Sequence, residues 1–127
     1  DMYGQQMAAM SNVLVDDAAI RDVAAYIETL DPGRANPVLR GDATRGKAHY
    51  TSCGACHGAK AQGNYALQAP ALAGQDDWYL KRQLEHFRLG IRGTHEDDNY
   101  GHQMVLMARS LQNEQSIDDL LAYLSGL

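Results

Sequence analysis

At 127 residues, with 45% apolar and 21% charged side chains, the chain has the size and composition of one globular domain, or one small domain with an appendage. A formal net charge of −5 argues against a nucleic-acid binder, which needs a basic face, and favours an acidic surface able to meet a basic partner. No run of eighteen apolar residues is present to span a membrane, and the opening Asp1-Met2-Tyr3-Gly4 carries neither a basic leader nor a signal-like apolar core, so it reads as an interior or processed start.

Residues 1–30 read as helical toward their end. Ala18, Ala19, Ile20, Val23, Ala24, Ile27 and Leu30 make an apolar stripe at helical spacing, and Asp16 or Asp17 can cap its start. The segment has a counterpart. A shift of 97 positions (100 minus 3) lays Tyr3-Gly4-Gln5-Gln6-Met7 on Tyr100-Gly101-His102-Gln103-Met104 without a gap. The same shift pairs Met10 with Met107, Leu14 with Leu111, Ile20 with Ile117, Asp22 with Asp119, Tyr26 with Tyr123 and Leu30 with Leu127. Residues 31–41 follow as a linker punctuated by Pro32, Gly33 and Pro37.

From Asp42 to about Thr51 a helix is predicted, with Asp42 as its N-cap. Gly46 inside it costs about 1 kcal/mol relative to alanine, so close approach of another helix is expected there. Next comes Cys53-Gly54-Ala55-Cys56-His57. Two thiols three positions apart, followed at once by an imidazole, read as a covalent c-type haem attachment site. Each thiol can add to one vinyl group, and His57 then lies under the iron as an axial ligand. The rival readings are weaker. A zinc site usually needs four protein ligands, and no third cysteine exists. A thiol redox pair wants a strand before it, whereas Gly46-Lys47-Ala48-His49-Tyr50 is helical in character. A plain disulfide leaves His57 without a role. Both cysteines sit in the motif, so their number does not report the compartment directly.

With the motif in hand, the repeat acquires a meaning. Residues 1–30 are expected to be the C-terminal remnant of a preceding haem domain, and residues 42–127 a whole second copy. Met7 then marks a ligand position with no haem of its own, and Ile20, Val23 and Ile27 are expected to pack on the remaining domain or on another copy of the chain.

Residues 58–74 read as a loop. A loop this long is uncommon unless functional, and its Leu67, Ala69, Ala71 and Leu72 need something to cover, such as one side of a haem. Gln75 to about Leu89 is a predicted helix with Asp76 and Asp77 in its first turn. Trp78, Leu80, Leu84, Phe87 and Ile91 are its expected buried side, with Lys81, Arg82 and Arg88 solvated. His95 and His102 are read as solvated loop histidines. Gln103 to Arg109 is apolar and rich in methionine, and Gln115 to Leu127 forms the last helix, with Ile117, Leu120, Leu121 and Leu124 facing inward.

Taken together, Gly46 to Tyr50, Cys53 to Gly58, Ala69 to Gln75, Trp78-Tyr79-Leu80, Gln103-Met104 and the helix from Asp119 to Tyr123 resemble class I c-type cytochromes. The likeness covers about Gly41 to Leu127. It is closest to the second domain of two-haem cytochromes of the c4 type, or to cytochrome c domains attached to bacterial terminal oxidases. The resemblance implies an all-α fold around one covalently attached haem c, preceded here by an extra N-terminal helical segment. It implies that Gly46 meets Tyr123 where the first and last helices of the domain cross. It implies that Pro70 accepts a hydrogen bond from His57, that Leu72 lies with Pro70 in the haem-binding loop, and that a methionine is the sixth ligand. Met104 lies seven residues before Leu111-Gln112, the family's ligand spacing, and Met107 is the alternative. The family often has Leu-Ser-Asp where this chain has Leu111-Gln112-Asn113, which loosens that spacing.

The expected function is one-electron transfer between respiratory redox partners in the bacterial periplasm, not catalysis. With both axial sites filled by protein, no substrate reaches the iron. The alternative is a haem enzyme or gas sensor with an open or labile sixth site, peroxidase-like in character. A domain tethered in a larger oxidase or dehydrogenase is a third reading. Arg45, Lys47, Lys60, Lys81 and Arg82 flank the haem-binding segments, and each is read as a solvated charge before a docking residue.

Overall fold

The computed structural model describes residues 2–31, 33 and 35–127. Pro32 and Arg34, within the predicted linker, and Asp1 lie outside the described residues. Six α-helices follow in order: α1 (Met2–Ser11), α2 (Asp17–Glu28), α3 (Ala43–His57), α4 (Asp77–Arg88), α5 (Asn99–Ser110) and α6 (Glu114–Leu124). A short 3-10 turn at Tyr65–Leu67 and an isolated bridge between Asn64 and Ala69 interrupt the long loop. Among the described residues there is no strand; the fold is all-α, that of a cytochrome c.

The chain divides after Gly33 into two compact units. In the first, α2 starts as its sequence dictates. Asp16 is extended, and its carboxylate accepts from the Ala19 N–H at 2.8 Å. Neither α1 nor α2 has a buried residue.

The second unit holds the core, in which α6 packs against both α3 and α4, and α4 in turn against α5. Asp42 caps α3, accepting from the Thr44 and Arg45 amides. The helix runs to His57, six residues beyond the Thr51 end read from sequence, so the Cys-x-x-Cys-His motif is itself helical. α3 and α6 cross at Gly46. A Cβ there would collide with the Asp119 carbonyl and sit 2.9 Å from Tyr123 Cβ, so only glycine lets the two backbones approach. Tyr50, Leu80, Leu111, Ile117, Leu120, Leu121 and Leu124 fill the space around this crossing. Ile117 and Leu121 are fully buried, each contributing about 1.5–3 kcal/mol of apolar transfer. A second cluster, Phe87, Val105 and Ala108, joins α4 to α5, with Leu84 and Met104 packed against it.

Polar contacts lock the start of this unit. Asp119 on α6, 1% exposed, accepts from the Asp42 amide at 2.8 Å, from Arg45 Nε at 2.6 Å and from Gln115 Nε2 at 2.9 Å. Asp77, 3% exposed, accepts from the consecutive amides of Val38 and Leu39 at 2.8 and 2.7 Å. These bonds tie Val38 and Leu39, at the end of the 31–41 linker, and Asp42, the cap of α3, to the second unit.

Helix α4 corrects two expectations. Trp78 is 46% exposed and Ile91 48% exposed; the inward positions belong to Asp77, Leu80, Leu84 and Phe87. Trp78 lies two residues before Leu80, about 200° around the helix, so it turns outward. There it meets Tyr79 edge-on and lies beneath the Arg82 guanidinium. Lys81 is not a free solvated charge either, since its Nζ pairs with Asp118 at 2.8 Å.

Candidate functional site

The last turn of α3 gathers the motif. Cys56 and His57 lie three and four positions after Cys53, so all three side chains project from neighbouring positions on one face. The two cysteines form no disulfide. Cys53 is half-buried against the core, its Sγ donates weakly to the His49 carbonyl at 3.8 Å, and burial pushes its thiol up. Cys56 is exposed.

His57 is 5% exposed. Its Nδ1 lies 2.8 Å from the Pro70 carbonyl, which can only accept, so Nδ1 carries a proton and Nε2 is the nitrogen left to face a metal. A buried imidazole with one nitrogen tied to the backbone and the other free is the donor state a metal requires. The loop that supplies Pro70 is held in turn. Gly58 ends α3 at φ +85°, the Gly63 amide donates to the His57 carbonyl at 2.8 Å, and Leu72 and Ala73 donate to the Ala61 carbonyl. Leu72 itself is half-buried and packs on the core cluster.

Among the described residues, no group of three or more His, Cys, Asp or Glu is arranged to hold a metal ion, so the zinc reading lacks its further ligands. The set present, two thiols and a backbone-oriented imidazole on one helical turn, fits covalent haem instead.

Met104 and Met107 both lie on α5 and both are half-buried. Spacing three on this twelve-residue helix puts the two methionines on neighbouring positions of one face. Packing separates them better, since Met104 lies against the Phe87, Val105 and Ala108 cluster. Arg45 is exposed but paired, its guanidinium held by Asp119. Lys47 and Lys60 are exposed.

Sequence reasoning missed the buried carboxylates. Asp77 reads as a helix-dipole residue, although it stands three before Leu80 and seven before Leu84, on their stripe. Asp119 had a signal that could have revealed it: the repeat keeps an aspartate at this position, as Asp22.

Comparison with known proteins gives the family. The cytochrome c family model matches residues 43–127. Cytochrome c4 of Thiocapsa roseopersicina is 33% identical over 97% of this chain and 66% of its own length. Cytochrome c-554(547) of Halothiobacillus neapolitanus is 37% identical over 68% of this chain and 98% of its own. The solved structure of Acidithiobacillus ferrooxidans cytochrome c4, an electron-transfer protein, superposes with a TM-score of 0.77 at 26% identity, covering all of this chain and 74% of that one. The chain thus spans only part of the length of the cytochromes c4 it matches, 66% of that of Thiocapsa roseopersicina and 62% of that of Azotobacter vinelandii. Among the described residues no helix is long and apolar enough to cross a membrane. This chain belongs to the cytochrome c family, and its domain carries haem c bound covalently through Cys53 and Cys56.

Proposed function

We propose that this chain is an electron carrier in which His57 and Met104 are the axial ligands and Pro70 and Leu72 belong to the haem-binding loop. The observation that carries the reading is His57 itself: buried, one turn after Cys53 and next to Cys56, with Nδ1–H fixed on the Pro70 carbonyl. When bound, the haem would supply reversible one-electron chemistry at iron. The chain's own part is to hold that chemistry closed. His57 offers Nε2 in one orientation and one tautomer. The Phe87, Val105 and Ala108 cluster supports Met104, and the 58–74 loop holds the Pro70 carbonyl on His57 Nδ1. A thioether opposite an imidazole favours the ferrous state and leaves no iron site for a substrate. The redox partners are proteins, and the homologous cytochromes c4 support a periplasmic site of action.

The domain reading belongs to the same proposal. Residues 42–127 are the haem domain. Residues 1–30 have the pattern of a cytochrome c domain's last two helices, and their exposed Ile20, Val23 and Ile27 are the surface through which copies of the chain would self-associate. Sedimentation with and without residues 1–30 tests that part; a monomer in both forms counts against it.

The main test is a visible spectrum of oxidised and reduced protein, with carbon monoxide added to the reduced sample. Sharp low-spin bands unmoved by the gas are expected. A gas-bound spectrum would mean an open sixth site and would replace electron transfer with sensing or peroxidase-like chemistry.

A further inference from the structure

We propose that the Tyr50 hydroxyl is a positioning group for His57, and through it a determinant of the haem's reduction potential. The inference rests on the reading of His57 as axial ligand and goes one step behind it.

Tyr50 is 4% exposed, inside the α3–α6 crossing, far along the helix from anything that would call for a hydroxyl. Its ring is fixed by Tyr123, with centroids 5.4 Å apart, and by Gly54, whose missing Cβ would stand 3.2 Å from Tyr50 Cε1. A phenylalanine would fill this space equally well. The hydroxyl instead reaches forward two turns and donates to the Gly58 carbonyl at 2.6 Å. Burial pushes the phenol's pKa up, so the group stays a donor.

Gly58 is the residue after the ligand, and its carbonyl is the base of the loop that orients His57. The same carbonyl accepts from the Ala61 amide at 3.0 Å. Ala61 is wholly buried and left-handed, at φ +54°, a conformation an alanine holds only when its surroundings impose it. Its carbonyl accepts from Leu72 at 2.8 Å and Ala73 at 3.1 Å, the residues that follow Pro70 and Ala71. A chain of hydrogen bonds therefore runs from Tyr50 through Gly58 and Ala61 to the Pro70 segment, and returns from the Pro70 carbonyl to His57 Nδ1.

The electronic consequence has a definite sign. A firm Nδ1–H···O bond makes the imidazole more electron-donating, which favours ferric iron and lowers the potential. Loosening the loop weakens that bond and raises the potential.

The test uses the haem-loaded chain. In Tyr50→Phe the reduction potential is expected to rise, and the ring N–H resonance of His57 in the reduced protein to exchange at least tenfold faster. Tyr123→Phe, which trims the neighbouring ring without touching Gly58, is expected to move neither. Should Tyr50→Phe fail to load haem, 3-fluorotyrosine placed at position 50 alone is the second probe. It is a stronger donor of the same shape, and the potential is expected to fall. A potential and an exchange rate unchanged in Tyr50→Phe, an unchanged potential with fluorotyrosine, or an equal shift in Tyr123→Phe would reduce Tyr50 to packing and overturn the proposal. The unaltered protein, measured alongside, separates this from the parent reading. Low-spin bands with a detectable His57 ring proton leave that reading standing; their absence removes both.

Discussion

Helices α1–α2 and α5–α6 are two copies of one pattern with opposite fates. The local structure repeats closely. A shift of 97 carries the starts of α1 and α2, Met2 and Asp17, onto Asn99 and Glu114, the starts of α5 and α6. It carries the Asp16 cap, bonded to the Ala19 amide at 2.8 Å, onto the Asn113 cap, bonded to the Ser116 amide at 2.8 Å. Burial does not repeat. Ile20 is 52% exposed and Ile117 not at all; Ile27 is 58% exposed and Leu124 only 4%. The difference is α3, which packs against α6 through Gly46 and Tyr123. An amphipathic stripe and a cap are enough to specify a helix, but a core needs a second surface shaped to receive it.

The largest expected effect is all-or-none. Met104→Ala should leave the reduced haem open to carbon monoxide, while Met7→Ala at the matching position should leave the visible spectrum unchanged. A carbon monoxide adduct absent from Met104→Ala would pass the ligand role to Met107. Next in size, Leu124→Ala should destabilise the domain by about 2–5 kcal/mol in urea unfolding, as a buried leucine deletion does. Ile27→Ala should stay within about 0.5 kcal/mol. An equal loss in both would show that α2 is covered in solution and would break the comparison.

The third contrast concerns acid. Arg45, followed by the Asp42 amide, holds the Asp119 carboxyl well below the usual carboxylate range. A depressed folded-state pKa contributes stability that is fully present above the unfolded value, about pH 4, and is lost as pH falls below it. Urea midpoints measured from pH 7 to pH 3 should therefore drop, and Arg45→Gln should flatten that drop. Asp22, the matching residue, is exposed, and Asp22→Asn should leave the curve where it was. An acid profile untouched by Arg45→Gln would mean that other carboxylates govern it.

The haem-bearing turn was the most legible part of the sequence, because Cys53, Cys56 and His57 carry their chemistry in their spacing. The helices were legible wherever apolar residues recur at 3.6, as with Ile117, Leu120, Leu121 and Leu124. Gly46 announced a close crossing because glycine inside a helix needs a reason. What stayed hidden is polar and long-range. Asp77 and Asp119 look like surface carboxylates, since the amides that satisfy them lie 38 to 77 residues away. Trp78 was misplaced because its size suggests the core, while its register two residues from Leu80 sends it outward. Tyr50 was legible as an aromatic near the crossing, but its hydroxyl's partner, Gly58, appears only when α3 continues past Thr51 to His57.

The pins on either side of Arg40 bear on how the chain can be cut. Arg40 is exposed and looks like an open invitation to trypsin. Yet the Leu39 amide before it is held by Asp77, and the Asp42 amide after it by Asp119, with Gly41 closed against the Asp118 carbonyl between them. A protease needs an exposed, locally opened stretch of backbone, and here it must first unfasten two carboxylates. The peptide after Arg40 should resist limited digestion as long as the domain is folded, and Asp77→Ala should expose it. The boundary that limited proteolysis of this polypeptide would draw is then set by buried acids and not by the prolines that mark the linker in the sequence.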